Sequence, residues 1–265
     1  MKIISLYSGS KGNSTLISAG GANILIDAGK SALRLTKALA EVGLTPADID
    51  AIFITHEHSD HISALENLLK KHPIPVHITE RSAQKLISLG LPHVTENIIT
   101  HTPLFNEQIK GLCVSSFPTP HDSMSSVGYH ISFEENGKRR EIGFATDIGY
   151  VTDEILVGLM GCESVVLEAN HDVEMLKNGS YPYDLKKRIL GRRGHLCNTD
   201  CALLSAKLVE SGTKNILLAH ISEENNTPEL AYDEVSAVIG NPEFNLAVAD
   251  QFEVTILVCE TEEQC

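Results

Sequence analysis

The chain has 265 residues, enough to bury a sizeable core, and 42% of them are hydrophobic with a mean hydropathy of −0.02, which excludes a disordered chain. A formal net charge of −14 argues against a surface that coats nucleic acid or anionic membrane indiscriminately, while permitting a local basic patch. No run approaches the ~20 apolar residues of a membrane span, so no membrane partner is expected.

The opening "MKIISLYSGSKGNS" lacks the apolar core of a signal peptide. Its strands then follow as "KIISLYS", "STLISAG" and "NILIDAG", the last an apolar run closing on Asp27. Leu35, Leu39 and Val42 recur at helical spacing before Gly43, and "DAIFITH" returns to a strand. After His61, "ISALENLLKKH" places Ile62, Leu65, Leu68 and Leu69 on one helical face that ends before Pro73 and Pro75. "VGYHISFEENGKRREIGFATD" reads as a hairpin turning at Asn136 and Gly137. "SVVLEAN" and "NILLAHI" are short apolar strands with the amphipathic "CALLSAKLVESG" between them, and "FNLAVA" and "FEVTILV" close the chain as strands. There is no repeat, low-complexity tract or linker, which predicts one domain over 1–265. The six cysteines (Cys113, Cys162, Cys197, Cys201, Cys259, Cys265) form no CxxC and no framework spacing, which reads as free thiols in a reducing cytoplasm.

Four apolar strands end in ionisable groups: Asp27, His56, Asp147 and His220. That repetition suggests a single site. The string "ITHEHSDH" concentrates three histidines and two carboxylates, the ligand types of zinc and similar divalent metals. His56 and His58 are two apart in an extended exit and can point one way, whereas Asp60 and His61 follow at a turn into a helix and can face the other. That suits two metals side by side. It is not the HExxH of a zincin helix, because Asp60 stands four after His56. His121 in "FPTPHD", Asp147 and His220 follow in order.

HxHxDH, a lone His, an Asp at a strand end and a terminal His together resemble the metallo-β-lactamase superfamily over nearly the whole chain. The resemblance implies an α/β fold, a four-layer αββα sandwich with a dinuclear site at one edge of the sheets. It implies His56, His58 and His121 as ligands of one metal, Asp60, His61 and His220 of a second, and Asp147 as the bridge, with Asp27 orienting a ligand histidine. The two ions would be zinc or manganese. "SGSKGNS", "LEANHD", "GHLCN" and "LAHISEENN" resemble the YycJ/WalJ-like branch, whose members are described as DNA exonucleases and which is similar to tRNase Z. Glu168 and His195 resemble the pair in which a strand-end Glu supports a loop His acting as general acid; His171 and Asn198 are candidate substrate contacts. Cys197 departs from the serine expected in this branch.

The segment "LKNGSYPYDLKKRILGRRGH" sets Lys177, Lys186, Lys187, Arg188, Arg192 and Arg193 against the single acid Asp184 in an acidic chain. Such cations would hold a phosphodiester backbone, with Tyr181 or Tyr183 stacking a base. The expectation is a cytoplasmic phosphodiesterase acting on nucleic acid, DNA ahead of RNA. In it a metal-bridging hydroxide attacks phosphorus, with Asp60 in the catalytic set and His195 as acid. Its rivals are a thioester or lactone hydrolase, which would not need the basic segment, and a binding module, which would not need a complete ligand set. The remaining histidines (His72, His77, His93, His101, His130) read as ordinary surface or satisfied groups.

Overall fold

In the computed structural model, which describes residues 1–240 and 244–259, the apolar runs become strands whose alternate side chains enter different layers. The strands are β1 (Lys2–Tyr7), β2 (Ser14–Ala19), β3 (Ala22–Ile26), β4 (Ala51–Phe53), β5 (Val76–Thr79), β6 (Ile98–His101), β7 (Asn106–Ile109), β8 (Leu112–Pro118), β9 (Val127–Glu135), β10 (Lys138–Ala145), β11 (Ser164–Glu168), β12 (Asn215–Ala219), β13 (Asn245–Val248) and β14 (Thr255–Cys259). They build two sheets, ordered β14-β1-β2-β3-β4-β5-β6 and β13-β12-β11-β10-β9-β8-β7. In β3, Ile24 and Ile26 join the core between the sheets while Leu25 joins the outer layer; in β12, Leu217 faces inward and Ile216 and Leu218 outward. Both faces are buried, which is why these strands read as continuous apolar runs.

The helices are α1 (Ala32–Glu41), α2 (Ser59–Ile62), α3 (Leu65–Leu69), α4 (Glu80–Ser88), α5 (Pro92–Asn97), α6 (Asp153–Leu159), α7 (Val173–Asn178), α8 (Tyr183–Ile189), α9 (Asn198–Glu210) and α10 (Pro228–Ile239). Leu35 and Leu39 of α1, Leu65, Leu68 and Leu69 of α3 and Leu86 of α4 cover the first sheet. Ile155 and Leu159 of α6, Leu204 and Leu208 of α9 and Val235 of α10 cover the second. The result is the four-layer αββα sandwich. The hairpin turns at Asn136 (φ 52°) and Gly137 (φ 72°), two positive φ values in the sequence order such a two-residue turn favours. Cys113, Cys162, Cys197 and Cys201 are free thiols; Cys265 and the side chain of Cys259 lie outside what is described. Among the described residues no helix is long and apolar enough to cross a membrane.

Candidate metal centre

Parallel pairing brings the strand ends together. Ala145, Leu167 and Leu218 are in register across β10, β11 and β12, as are Ile26 and Phe53 across β3 and β4. The chain therefore leaves both sheets along one edge, and the ionisable groups that follow collect there. Asp27 (φ 63°), Asp147 (φ 57°) and His220 (φ 59°) adopt the left-handed conformation, which costs a non-glycine residue ~1–3 kcal/mol. The strain is held by close backbone packing. Ala28 N donates to His61 O and Asn13 N to Asp60 O, each at 2.8 Å, and a Cβ on Gly29 would stand 1.8 Å from Asp60 O.

Ligand-type atoms converge within 4.8 Å of one another in four overlapping groups: His56, His58 and His121; Asp60, His61 and His220; His56, His61 and Asp147; and Asp147, Glu168, His195 and His220. Asp147 belongs with both ends of the cluster. The outer nitrogen of four rings is already engaged by protein: His56 Nδ1 lies 3.0 Å from Thr55 Oγ1, His61 Nδ1 2.8 Å from Asp27 Oδ2, His121 Nδ1 3.0 Å from Gly194 O, and His220 Nδ1 3.2 Å from Glu168 Oε1. Holding Nδ1 in this way would leave Nε2 to face an ion. Asp27 Oδ2 thus faces a candidate ligand histidine, and Thr55 N donates to its other oxygen at 2.8 Å.

The buried carboxylates draw positive charge to the edge. Burial disfavours a charged His220, yet Asp147, Asp60 and Glu168 outweigh it and raise its pKa to about 10. Burial also opposes ionisation of Asp60, but His61 and His220 hold that carboxyl far below its usual range. Burial, then the neighbouring His61, pushes His56 the other way, well below the ordinary histidine value. Asp147 Oδ2 and His220 Nε2 are buried without a hydrogen-bond partner, where buried polar atoms are ordinarily paired. Imidazole nitrogens and carboxylate oxygens aimed at one another in this way fit divalent cations.

Beside the cluster, Glu168 is fully buried and meets donors on both oxygens. Oε1 accepts from His195 Nδ1 at 2.7 Å, and Oε2 accepts from Ile148 N at 2.8 Å and Leu196 N at 3.1 Å. Burial works against its charge, but His195 and His220 hold the carboxyl down at about 2. His195 rests between the rings of His121 and His220, each 5.1 Å away.

The expected substrate contacts fare differently. Asn198 is buried at the start of α9, where its amide donates to and accepts from the amide of Asn226, at 2.9 and 2.8 Å. His171 is also buried, with Nδ1 3.3 Å from Asn170 Oδ1 and Nε2 without a hydrogen-bond partner. Arg193 donates to His121 O at 2.9 Å and Ser123 O at 3.2 Å, bracing the loop of a candidate ligand. Arg192 is exposed and stacks 4.1 Å over Tyr150. Much of the basic segment is already engaged: Arg188 pairs with Asp122, Lys177 with Glu174, and Lys186 donates to two backbone carbonyls. Tyr183 is 78% exposed.

Several contributors carry no role in the sequence reading. Thr55 joins Asp27 to His56; Asn13 Nδ2 stands 3.3 Å from His61 Nε2 and 3.5 Å from Asp60 Oδ2; Asn170 Nδ2 lies 3.2 Å from His220 Nδ1. Ser8 Oγ accepts from His220 N and donates to Asn13. Their signal was positional: Ser8 and Asn13 lie in "SGSKGNS", Asn170 in "LEANHD", and Thr55 directly precedes the histidine string.

Residues 22–221 match the family model described as a β-lactamase superfamily domain. The chain is 36% identical over 254 residues to the exodeoxyribonuclease YycJ of Bacillus anthracis, covering 94% of this chain and 92% of that one. It is 35% identical over 235 residues to the exodeoxyribonuclease WalJ of Streptococcus pneumoniae, covering 86% and 84% respectively. The short form of human tRNase Z superimposes with a TM-score of 0.66 at 18% identity, covering 98% of this chain and all of that one, a likeness of fold.

Proposed function

The chain belongs to the metallo-β-lactamase superfamily and is a metal-dependent hydrolase, and within that class we propose an exonuclease that uses two divalent ions to cleave DNA. His56, His58 and His121 would hold one ion, Asp60, His61 and His220 the other, and Asp147 would serve both. When bound, such ions acidify a water and neutralise the charge of a phosphodiester. The names of the two curated relatives support DNA over RNA.

The observation that carries the reading is the Glu168–His195 couple, 2.7 Å apart against the ligand cluster. Glu168 accepts from Nδ1–H, which leaves Nε2–H as the proton to give. An unactivated alkoxide cannot leave a phosphodiester readily without that proton; a thioester needs it far less. Arg193 supports the reading by bracing His121, and Arg192 by offering an exposed cation on the same loop. The test is turnover by metal-reconstituted protein on end-labelled single- and double-stranded DNA, on RNA, on bis-p-nitrophenyl phosphate and on a thioester. Progressive shortening of DNA from an end is expected. Thioester hydrolysis without DNA cleavage would sink the proposal.

A further inference from the structure

A separate set of ligand-type side chains converges away from the strand-end cluster. His77 in β5, His101 closing β6 and Glu107 in β7 present donor atoms that all lie within 4.8 Å of one another. Nothing in the proposed reaction uses them. His77 Nδ1 and His101 Nε2 are 2.9 Å apart, the same approach that His56 Nε2 and His58 Nδ1 make at 3.0 Å. Both rings are clamped by aromatic neighbours: His77 stacks on Phe53 with centroids 4.5 Å apart, and His101 on Phe105 at 4.0 Å. Their orientation is therefore fixed by packing in advance of any ligand. Burial pushes the pKa of His77 down to about 4 and lowers that of His101, the latter against the pull of Glu107. Both imidazoles are neutral at pH 7, the form that binds metal.

We propose that His77, His101 and Glu107 form a further divalent-cation site, of the zinc type, that clips the two sheets together at their open edge. β6 borders the first sheet and β7 the second, and the chain crosses between them in residues 102–105. One ion there would tie strands of both layers across that crossover. Two imidazoles and a carboxylate are a common zinc donor set, and half-buried His101 and Glu107 leave a path for the ion and for a water as fourth ligand. Nitrogens bound at ~2.0–2.1 Å with tetrahedral angles stand ~3.3 Å apart, so the two rings need separate by only a few tenths of an ångström. The competing account is a plain N–H···N bond between two neutral imidazoles. That account needs no carboxylate and gives Glu107 no part.

The experiment compares the full chain with His101→Gln and Glu107→Gln. Each is titrated with zinc, freed of loose metal by gel filtration and counted by elemental analysis. His101→Gln should hold one zinc fewer per chain than the parent, a difference that does not depend on how many ions the strand-end cluster takes. Glu107→Gln, a change on a half-buried edge strand, should weaken that last ion tenfold or more while leaving the chelated protein's Tm and circular dichroism unaltered. Zinc contents and affinities equal across all three proteins would overturn the site. Loss of an ion in His101→Gln with Glu107→Gln at parental affinity would overturn the role of the carboxylate and with it the three-ligand site.

Discussion

Replacing Glu168 with Gln tests the acid couple most sharply, because the substitution changes charge and leaves shape almost intact. In the native site Oε1 faces His195 Nδ1 and His220 Nδ1, and Oε2 faces the amides of Ile148 and Leu196. An amide has one acceptor end. With its oxygen toward the backbone amides, its NH2 confronts two ring nitrogens that had been donating, and His195 must shift its proton to Nε2 as a neutral tautomer. A hydrogen bond to a charged group contributes ~1.5–3 kcal/mol. At ~1.4 kcal/mol per factor of ten, loss of the His195 interaction should slow DNA cleavage by about 10- to 150-fold. His195→Ala, which removes the proton donor itself, should cost ~10²–10⁴-fold. Because nitrophenolate departs without a proton, both variants should hydrolyse bis-p-nitrophenyl phosphate within about tenfold of the parent. The assay is kcat/KM on the two substrates with metal content measured in parallel. Equal losses on both substrates would refute an acid role and point to substrate positioning; loss of metal in His195→Ala would make His195 a ligand, whereas loss in Glu168→Gln alone would trace to its contact with His220 Nδ1.

Four other substitutions follow from the geometry. Asp147→Asn should reduce occupancy at both metal positions, read by elemental analysis; loss of one ion alone would confine Asp147 to a single position. Arg192→Gln should flatten the fall of DNA turnover with salt by about one phosphate contact, whereas Arg193→Gln should loosen the His121 loop and weaken metal affinity, a division of labour that identical salt profiles and metal contents would contradict. Gly29→Ala should lower Tm strongly: overpacking commonly costs ~1–3 kcal/mol, and here the new methyl meets rigid backbone at Asp60 O, so an unchanged Tm would show that the turn can move.

Much of the site could be read without coordinates because its donors lie in one short string or end apolar runs. "THEHSDH", Asp147 and His220 announce themselves by spending polar groups where strands leave the core. The sandwich was legible for the same reason, since strands buried on both faces are apolar throughout. The segment from β5 to β7 was not, because its elements are short and "NEQI" is as polar as a loop. Thr55, Asn13 and Ser8 escaped notice because hydroxyls and amides occur everywhere, and their work depends on loops meeting from distant parts of the chain. The basic segment illustrates the limit differently. Its charge was visible, but not that Asp122 and backbone carbonyls already occupy Arg188 and Lys186, nor that Arg193 braces a loop. Asn198 and His171 sat in the right motifs and proved to be buried.

The pairing of β14 with β1 bears on the order in which the molecule can assemble. β1 is synthesised long before β14, so one of its flanks is covered only by a strand made much later. Until then the first sheet offers an open row of amides and carbonyls on an apolar strand, the kind of border that recruits other chains. Contacts so distant in sequence also close slowly. During synthesis the second sheet, whose β7 to β10 follow one another closely in the chain, can therefore begin to consolidate first, with β1 exposed to chaperones while it waits. Losing β14 would leave most of the strand-end cluster's residues present in the chain while giving β1 an open flank prone to self-association.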